Sequence, residues 1–167
     1  DPGDASVAPG TGVIDLDAFD LVTSAGTDSV TALTVGLGAG TAVGLSEVRI
    51  TSNDGATTYF SAVSDPGSDT VNFSGGTPIP VTTTPTTYKV RVTPKTHANM
   101  PVPNGATYAV TGTVTAYTST NVQSGTDTDS ATITIDNASP AAATVMSGTS
   151  DNSQVTLNWT TSASADY

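Results

Sequence analysis

Short segments in which apolar and polar side chains alternate constrain the fold of this chain more than any other feature. In residues 86–93, Tyr88, Val90 and Val92 fall on one face and Lys89 and Arg91 on the other. Period-two alternation is the pattern of a half-buried β-strand, since successive side chains point to opposite faces of a sheet. About eight such segments, separated by turn residues, predict an all-β, antiparallel two-sheet sandwich of the Ig-like kind.

Composition decides between this sandwich and a disordered stalk. The 167 residues include 33 Thr and 18 Ser, and 15 acidic against 4 basic residues give a formal charge of −11. A chain rich in hydroxyl and acidic residues can remain unfolded, but here the apolar residues recur at alternate positions and Thr is favourable in strands. The negative charge argues against a nucleic-acid partner. The lack of Cys excludes disulfides and thiolate metal sites, and no apolar run is long enough for a membrane span.

Turn signals and shifts of the alternation mark the element boundaries. Asn53, Asp54 and Gly55 between two alternating segments predict a β-hairpin, because these residues tolerate positive φ. In residues 13–22 the alternation slips, which predicts a bulge near Ala18 and leaves Asp15 and Asp17 on the solvent side.

The domain organisation follows from where the turn residues and the alternating segments lie along the chain. Residues 1–12 are predicted to be a leader or linker and residues 13–137 an Ig-like β-sandwich. Residues 138–144 are predicted to be a second linker, and residues 145–167 an incomplete further domain.

Two stretches resemble known families. Residues 140–159, with Pro140, a strand at Val145 and Val-x-Leu-x-Trp ending at Trp159, resemble the opening of a fibronectin type III domain. The stretches TTYKVRVTPKTHANMP, YAVTGTVTAYTST and DSATITIDNASP resemble immunoglobulin-like modules of large exported bacterial proteins. The resemblance implies an extracellular or cell-surface setting and assigns no catalytic residue.

The last segment holds too few strands to bury its own apolar face. Val155, Leu157 and Trp159 are predicted to form one side of a strand, and an isolated hairpin is marginally stable in water. Either the chain is a fragment of a longer one, or these residues are assembly anchors that complete a neighbouring subunit's sheet.

Acidic residues form two candidate cation sites. Asp127, Asp129, Asp136 and Asn137 lie near the domain junction, where bound Ca²⁺ would stiffen the hinge; the ordinary alternative is that they are turn and cap residues. Asp15, Asp17 and Asp20 do not match a calcium-loop pattern, and a solvated strand face is expected instead. Ca²⁺ is the one cofactor that the sequence suggests.

The basic residues gather in one stretch. Lys89, Arg91, Lys95 and His97 are candidates for binding an acidic partner or a neighbouring subunit. The alternative is that they are the outward face of a strand, where they would also protect a sheet edge from pairing.

The sequence therefore predicts a non-catalytic structural module of a bacterial surface array or filament. It contains no nucleophile-elbow or zinc-protease motif, so no enzyme is expected. The alternative function is a ligand-binding adhesin domain that recognises a glycan or protein through the loop 95–105, with or without Ca²⁺.

Overall fold

The computed structural model describes residues 1–101, 107–138, 142 and 146–160. Over these residues the protein is all-β, with several antiparallel sheets and two single-turn 3₁₀ segments, Ala42–Gly44 and His97–Asn99. The predicted all-β class is confirmed, and the arrangement is consistent with a β-sandwich. The chain divides into two compact units, residues 1–137 and 138–167.

The described part of the first unit contains ten strands. They are β1 (Ala5–Val7), β2 (Ile14–Leu21), β3 (Thr27–Leu37), β4 (Leu45–Ser52), β5 (Thr58–Ser64), β6 (Thr70–Thr82), β7 (Thr86–Pro94), β8 (Thr107–Val110), β9 (Gly112–Thr118) and β10 (Ile133–Asp136).

These strands form three sheets with the orders β2-β7-β4-β5, β6-β3-β9 and β1-β10-β8. All pairs are antiparallel except β1 with β10, which is parallel. Thr111 alone separates β8 from β9, so the chain passes directly from one three-stranded sheet into the other.

The core is built from the alternating positions. Tyr88, Val90 and Val92 of β7 are buried, as the alternation predicts, and so are Leu33 and Val35 of β3. Side chains from the β2-β7-β4-β5 sheet, from the β6-β3-β9 sheet and from β10 join one apolar cluster. Burial of these positions removes apolar surface from water, which is the main favourable term in folding.

The predicted hairpin at Asn53–Gly55 is confirmed. It joins β4 to β5; Gly55 has φ +77°, and the Asp54 carboxylate accepts hydrogen bonds from Ser52 Oγ at 2.6 Å and the Ala56 N–H at 3.0 Å. A carboxylate that satisfies its own turn in this way fixes where β4 ends.

Two details of strand placement differ from the sequence prediction. The register shift in β2 falls between Asp15 and Asp17 rather than near Ala18. In addition, β7 pairs with β2 on one side and β4 on the other, so Lys89 and Arg91 occupy a central strand. The prediction that they protect a sheet edge is wrong.

The second unit contains an antiparallel hairpin over its described residues. Strand β11 (Met146–Asp151) pairs with β12 (Gln154–Trp159), and the turn between them includes Ser153 at φ +71°. The strand that the sequence predicts at Val145 lies outside the described residues, as do most of the linker 138–144 and residues 161–167. Among the described residues, no helix has the length and apolar character to cross a membrane.

Candidate functional site

Asp17 is a buried acid at the bulge of β2. The register shift between Asp15 and Asp17 breaks the alternation, so that the consecutive side chains Leu16 and Asp17 are both 0% exposed. A bulge turns an additional side chain toward the same face of a sheet. The expected solvated strand face is therefore wrong for Asp17, although Asp20 is exposed and accepts a hydrogen bond from Thr87 Oγ1 at 2.6 Å.

Asp127 approaches Asp17 from the connection between β9 and β10. Its Oδ2 accepts the Val114 N–H at 2.8 Å. Two further bonds hold this part of the connection: the Gly112 N–H donates to Ser130 Oγ at 3.1 Å, and the Ala131 N–H donates to the Leu16 carbonyl at 2.9 Å. The second of these joins the connection to the residue that precedes Asp17, and so places the two acids side by side.

The other end of the connection is held by a third carboxylate. Asp28 of β3 accepts a hydrogen bond from Thr120 Oγ1 at 2.6 Å and from the N–H groups of Thr120 and Asn121 at 3.3 Å. These donors lower the pKa of Asp28 below its ordinary value, and the hydrogen bond from Thr120 Oγ1 contributes most. The connection is thus fixed at both ends although it contains no regular strand.

Burial and the neighbouring acid both favour the protonated form of Asp17. Desolvation is the larger cause and the negative charge of Asp127 the next, and together they raise the pKa of Asp17 from 3.8 to about 7. In the ionised form neither Asp17 oxygen has a hydrogen-bond donor among the described residues.

A cleft lies between β2, β9 and the connection. Phe19 and Leu21 line one side, Val114 and Tyr117 another, and Asp127 is part of its wall. Asp127 therefore connects the buried Asp17 with a solvent-accessible depression in the surface.

The residues of the predicted calcium site have separate surroundings. Asp129 is exposed, Asp136 is opposite Thr107 in the β10–β8 pair, and Asn137 is buried with its Oδ1 2.6 Å from His97 Nδ1. The part of the chain that the structure describes has no group of three or more His, Cys, Asp or Glu residues that could hold a metal ion. Calcium binding by Asp127, Asp129, Asp136 and Asn137 stays a prediction from the sequence.

Each of the predicted partner-binding residues has a partner within its own chain. The Asp15 carboxylate forms ion pairs with both Lys89 and Arg91. Its Oδ2 pairs with Lys89 Nζ, and its Oδ1 lies 2.6 Å from Arg91 Nε. Lys95 Nζ lies 2.5 Å from Asp65 Oδ1. The remaining cation, Arg49, pairs with Glu47 of the same strand. Binding of an acidic partner here stays a prediction, and residues 102–105 of the loop 95–105 lie outside the described residues.

The terminal hairpin has one apolar and one polar face. Val155, Leu157 and Trp159 share a face of β12 and are 66%, 57% and 62% exposed. Gln154, Thr156 and Asn158 occupy the other face. A row of large apolar side chains at this exposure is typical of a surface that other protein structure covers.

The sequence analysis did not identify the Asp17–Asp127 pair. The available signal was the slip of alternation around Asp17, because a slip places an acid on the core side of the strand. Comparison of the chain with protein-family models, curated proteins and solved structures finds no match.

Proposed function

We propose that this chain is a non-catalytic structural module of an extracellular bacterial array or filament, and that its terminal hairpin completes the β-structure of a neighbouring subunit. The observation that carries the proposal is the exposure of Val155, Leu157 and Trp159 on one face of a two-stranded sheet. Two strands alone do not bury such a face, and added strands both cover it and extend the backbone ladder.

The strand order of the first unit supports an Ig-like assignment. In an Ig-like sandwich the second, fifth and fourth strands share one sheet, and the third, sixth and seventh share the other. Here β2, β7 and β4 are adjacent in that order, and β3 pairs with β9 while β8 pairs with β10. In this assignment β5 and β6 are an insertion between the fourth and fifth strands. The extracellular setting rests on the resemblance of the sequence to modules of exported proteins.

The sequence contains no nucleophile-elbow or zinc-protease motif, and the proposed role is therefore a mechanical one. Hydrogen-bonded sheets resist extension and proteolysis, and the charge of −11 keeps a crowded array soluble. The side chains buried at the interface would be Val155, Leu157 and Trp159, and Trp is among the residues that contribute most to binding at an interface.

The experiment uses Trp159 as a reporter, since it is the single Trp of the chain. Sedimentation velocity and Trp emission are measured over a range of protein concentration for the natural chain and for Leu157→Ser. We expect the natural chain to associate, with a blue shift of the emission as Trp159 becomes buried, and Leu157→Ser to associate at least tenfold more weakly, a loss of roughly 1.4 kcal/mol or more.

Asn158→Ser is the matched control, because it changes the polar face of the same strand. It should associate like the natural chain. A natural chain that stays monomeric with solvent-exposed Trp emission at every concentration contradicts strand donation between subunits. Equal association of Leu157→Ser and the natural chain contradicts the role of this face.

A further inference from the structure

The ionised Asp17 carboxylate is poorly neutralised within the described part of the protein. The side chain is 0% exposed, and neither oxygen accepts a hydrogen bond from the described residues. A buried carboxylate without donors or a counter-charge is strongly disfavoured. Asp127, the side chain that faces it, adds a second negative charge.

The basic side chains of the protein are engaged elsewhere. Lys89 and Arg91 pair with Asp15, Lys95 pairs with Asp65, and Arg49 pairs with Glu47. These are all four Lys and Arg residues of the chain. The His97 ring lies against Asn137. The N-terminal amine of Asp1, which lines the same cleft, lowers the pKa of Asp17, but by less than burial and Asp127 raise it. Further positive charge for the Asp17–Asp127 pair must come from solution.

We infer that Asp17 and Asp127 bind a hard divalent cation, Ca²⁺ in the first instance, at the wall of the cleft between β2, β9 and the β9–β10 connection. Carboxylate oxygens are the ligands that such ions prefer, and a flexible coordination number lets Ca²⁺ complete its shell with backbone carbonyls and water. Asp127 lines the cleft, which gives the ion a path to the buried acid.

The backbone holds both ligands in place before the ion arrives. Asp127 is fixed by the Val114 N–H, and the neighbouring Ala131 N–H is bonded to the Leu16 carbonyl beside Asp17. A preorganised pair loses little conformational freedom on binding. The bound ion would join β2 to the β9–β10 connection. The site differs from the sequence-based calcium group, which contains Asp127 but not Asp17.

The test measures thermal unfolding of the natural chain, Asp17→Asn and Asp127→Asn at pH 8, in EDTA and in millimolar CaCl₂, with MgCl₂ as the comparison ion. At saturating Ca²⁺ the midpoint of the natural chain should rise by roughly 5 °C or more, and neither variant should respond. Asp20→Asn is the matched control: it removes one negative charge from the same strand at an exposed position, and should keep the full shift.

The inference would be overturned if Ca²⁺ did not shift the unfolding midpoint of the natural chain, or shifted that of Asp127→Asn by the same amount. It would also be overturned if the natural chain and all three variants gave the same non-saturating response, which indicates a diffuse ion atmosphere. Calorimetric titration of the folded natural chain with CaCl₂ gives an independent answer if Asp17→Asn does not fold. Saturable binding at a single site, weakened at least tenfold in Asp127→Asn, supports the site, and its absence excludes it.

Discussion

At the scale of single residues, Asp17 couples the stability of the fold to pH. Its pKa is about 7 in the folded protein, through burial first and the charge of Asp127 second, against 3.8 for the ordinary group. Between these two values the folded state holds a proton that the unfolded state has released. The contribution of Asp17 to the free energy of unfolding is therefore most favourable at low pH. It falls as the pH rises from about 4 to about 7 and does not fall further above that.

The first prediction is that Asp17→Asn stabilises the protein at pH 8 in EDTA. The amide carries no charge and its NH₂ group can donate to Asp127, so the cost of ionising a buried carboxylate disappears. The gain at pH 8 is at most on the order of 4 kcal/mol, from a pKa difference of about three units, and it should be close to zero at pH 4.

Urea unfolding at both pH values measures the difference. Asp20→Asn is again the control, because Asp20 is exposed and its hydrogen bond to Thr87 can be kept by an amide oxygen. An Asp17→Asn protein that is less stable than the natural chain at pH 8 would contradict this account of the buried acid.

At the scale of elements, strand β6 shows where the sequence was informative and where it was not. The sequence pattern predicts a short strand over residues 70–73, and Gly75, Gly76, Pro78 and Pro80, which follow, are residues that ordinarily end a strand. In the structure β6 extends over Thr70–Thr82. Among the described strands β6 pairs only with β3, so it lies at a sheet edge, where proline N atoms can face away from the ladder.

The bulge in β6 explains the remaining residues. Ala32 of β3 is opposite Ser74 and Val30 is opposite Ile79, so the residues between loop out of the ladder. Gly75 and Gly76 have φ +73° and +71°. Local turn residues were enough to predict the β4–β5 hairpin, but not the extent of β6. Whether Gly and Pro residues end a strand or form a bulge at a sheet edge depends on the neighbouring strand, about which the local sequence pattern carries no information.

The same limit applies to the candidate site. The local pattern identified the slip around Asp17, but Asp127 reaches it through contacts with Val114 and Leu16 that depend on strand order. The exposed row of β12, by contrast, was predictable because a period-two apolar row needs only the strand itself.

The second prediction concerns the close approach of β5 and β6 at Gly76. A Cβ added there would lie 2.8 Å from the Phe60 carbonyl carbon and 3.0 Å from the Ser61 N, both backbone atoms, whereas one added at Gly75 would meet nothing within 4 Å. Phe60 itself has φ +58° and is buried, so its backbone has little freedom to move away. Gly75→Ala is therefore a control with the same conformational cost and no clash.

We expect Gly75→Ala to lower the free energy of unfolding by about 1–2 kcal/mol, because Ala is disfavoured in the left-handed conformation. Gly76→Ala should lower it by about 2 kcal/mol more, because of the steric clash. The free energy of unfolding from urea titration measures both. Equal losses in the two variants would show that β5 can move away from β6, against the packing described above.

At the scale of the whole molecule, the imbalance of charge sets the response to salt. The chain has 15 acidic and 4 basic residues, and the ion pairs concentrate on one region: Lys89, Arg91 and Arg49 lie on neighbouring strands of one sheet, and Lys95 follows directly after. Repulsion among like charges favours the expanded unfolded chain, whereas the ion pairs favour the folded one. Salt screens both interactions, with opposite effects on stability.

The third prediction is that repulsion is the larger effect near neutral pH. Ion pairs whose side chains keep part of their surface in water, as these four do, contribute little each, about 0–1 kcal/mol, while the excess of negative charge acts over the whole surface. Raising NaCl from about 10 to about 300 mM shortens the Debye length from roughly 30 Å to less than 8 Å, which should raise the unfolding midpoint at pH 7 by a few degrees. The same titration near pH 4.1, the isoelectric point of the sequence, is the control: repulsion is small there, so the rise should vanish. A midpoint that falls with salt at pH 7 would mean that the ion pairs around Asp15, Glu47 and Asp65 outweigh the repulsion.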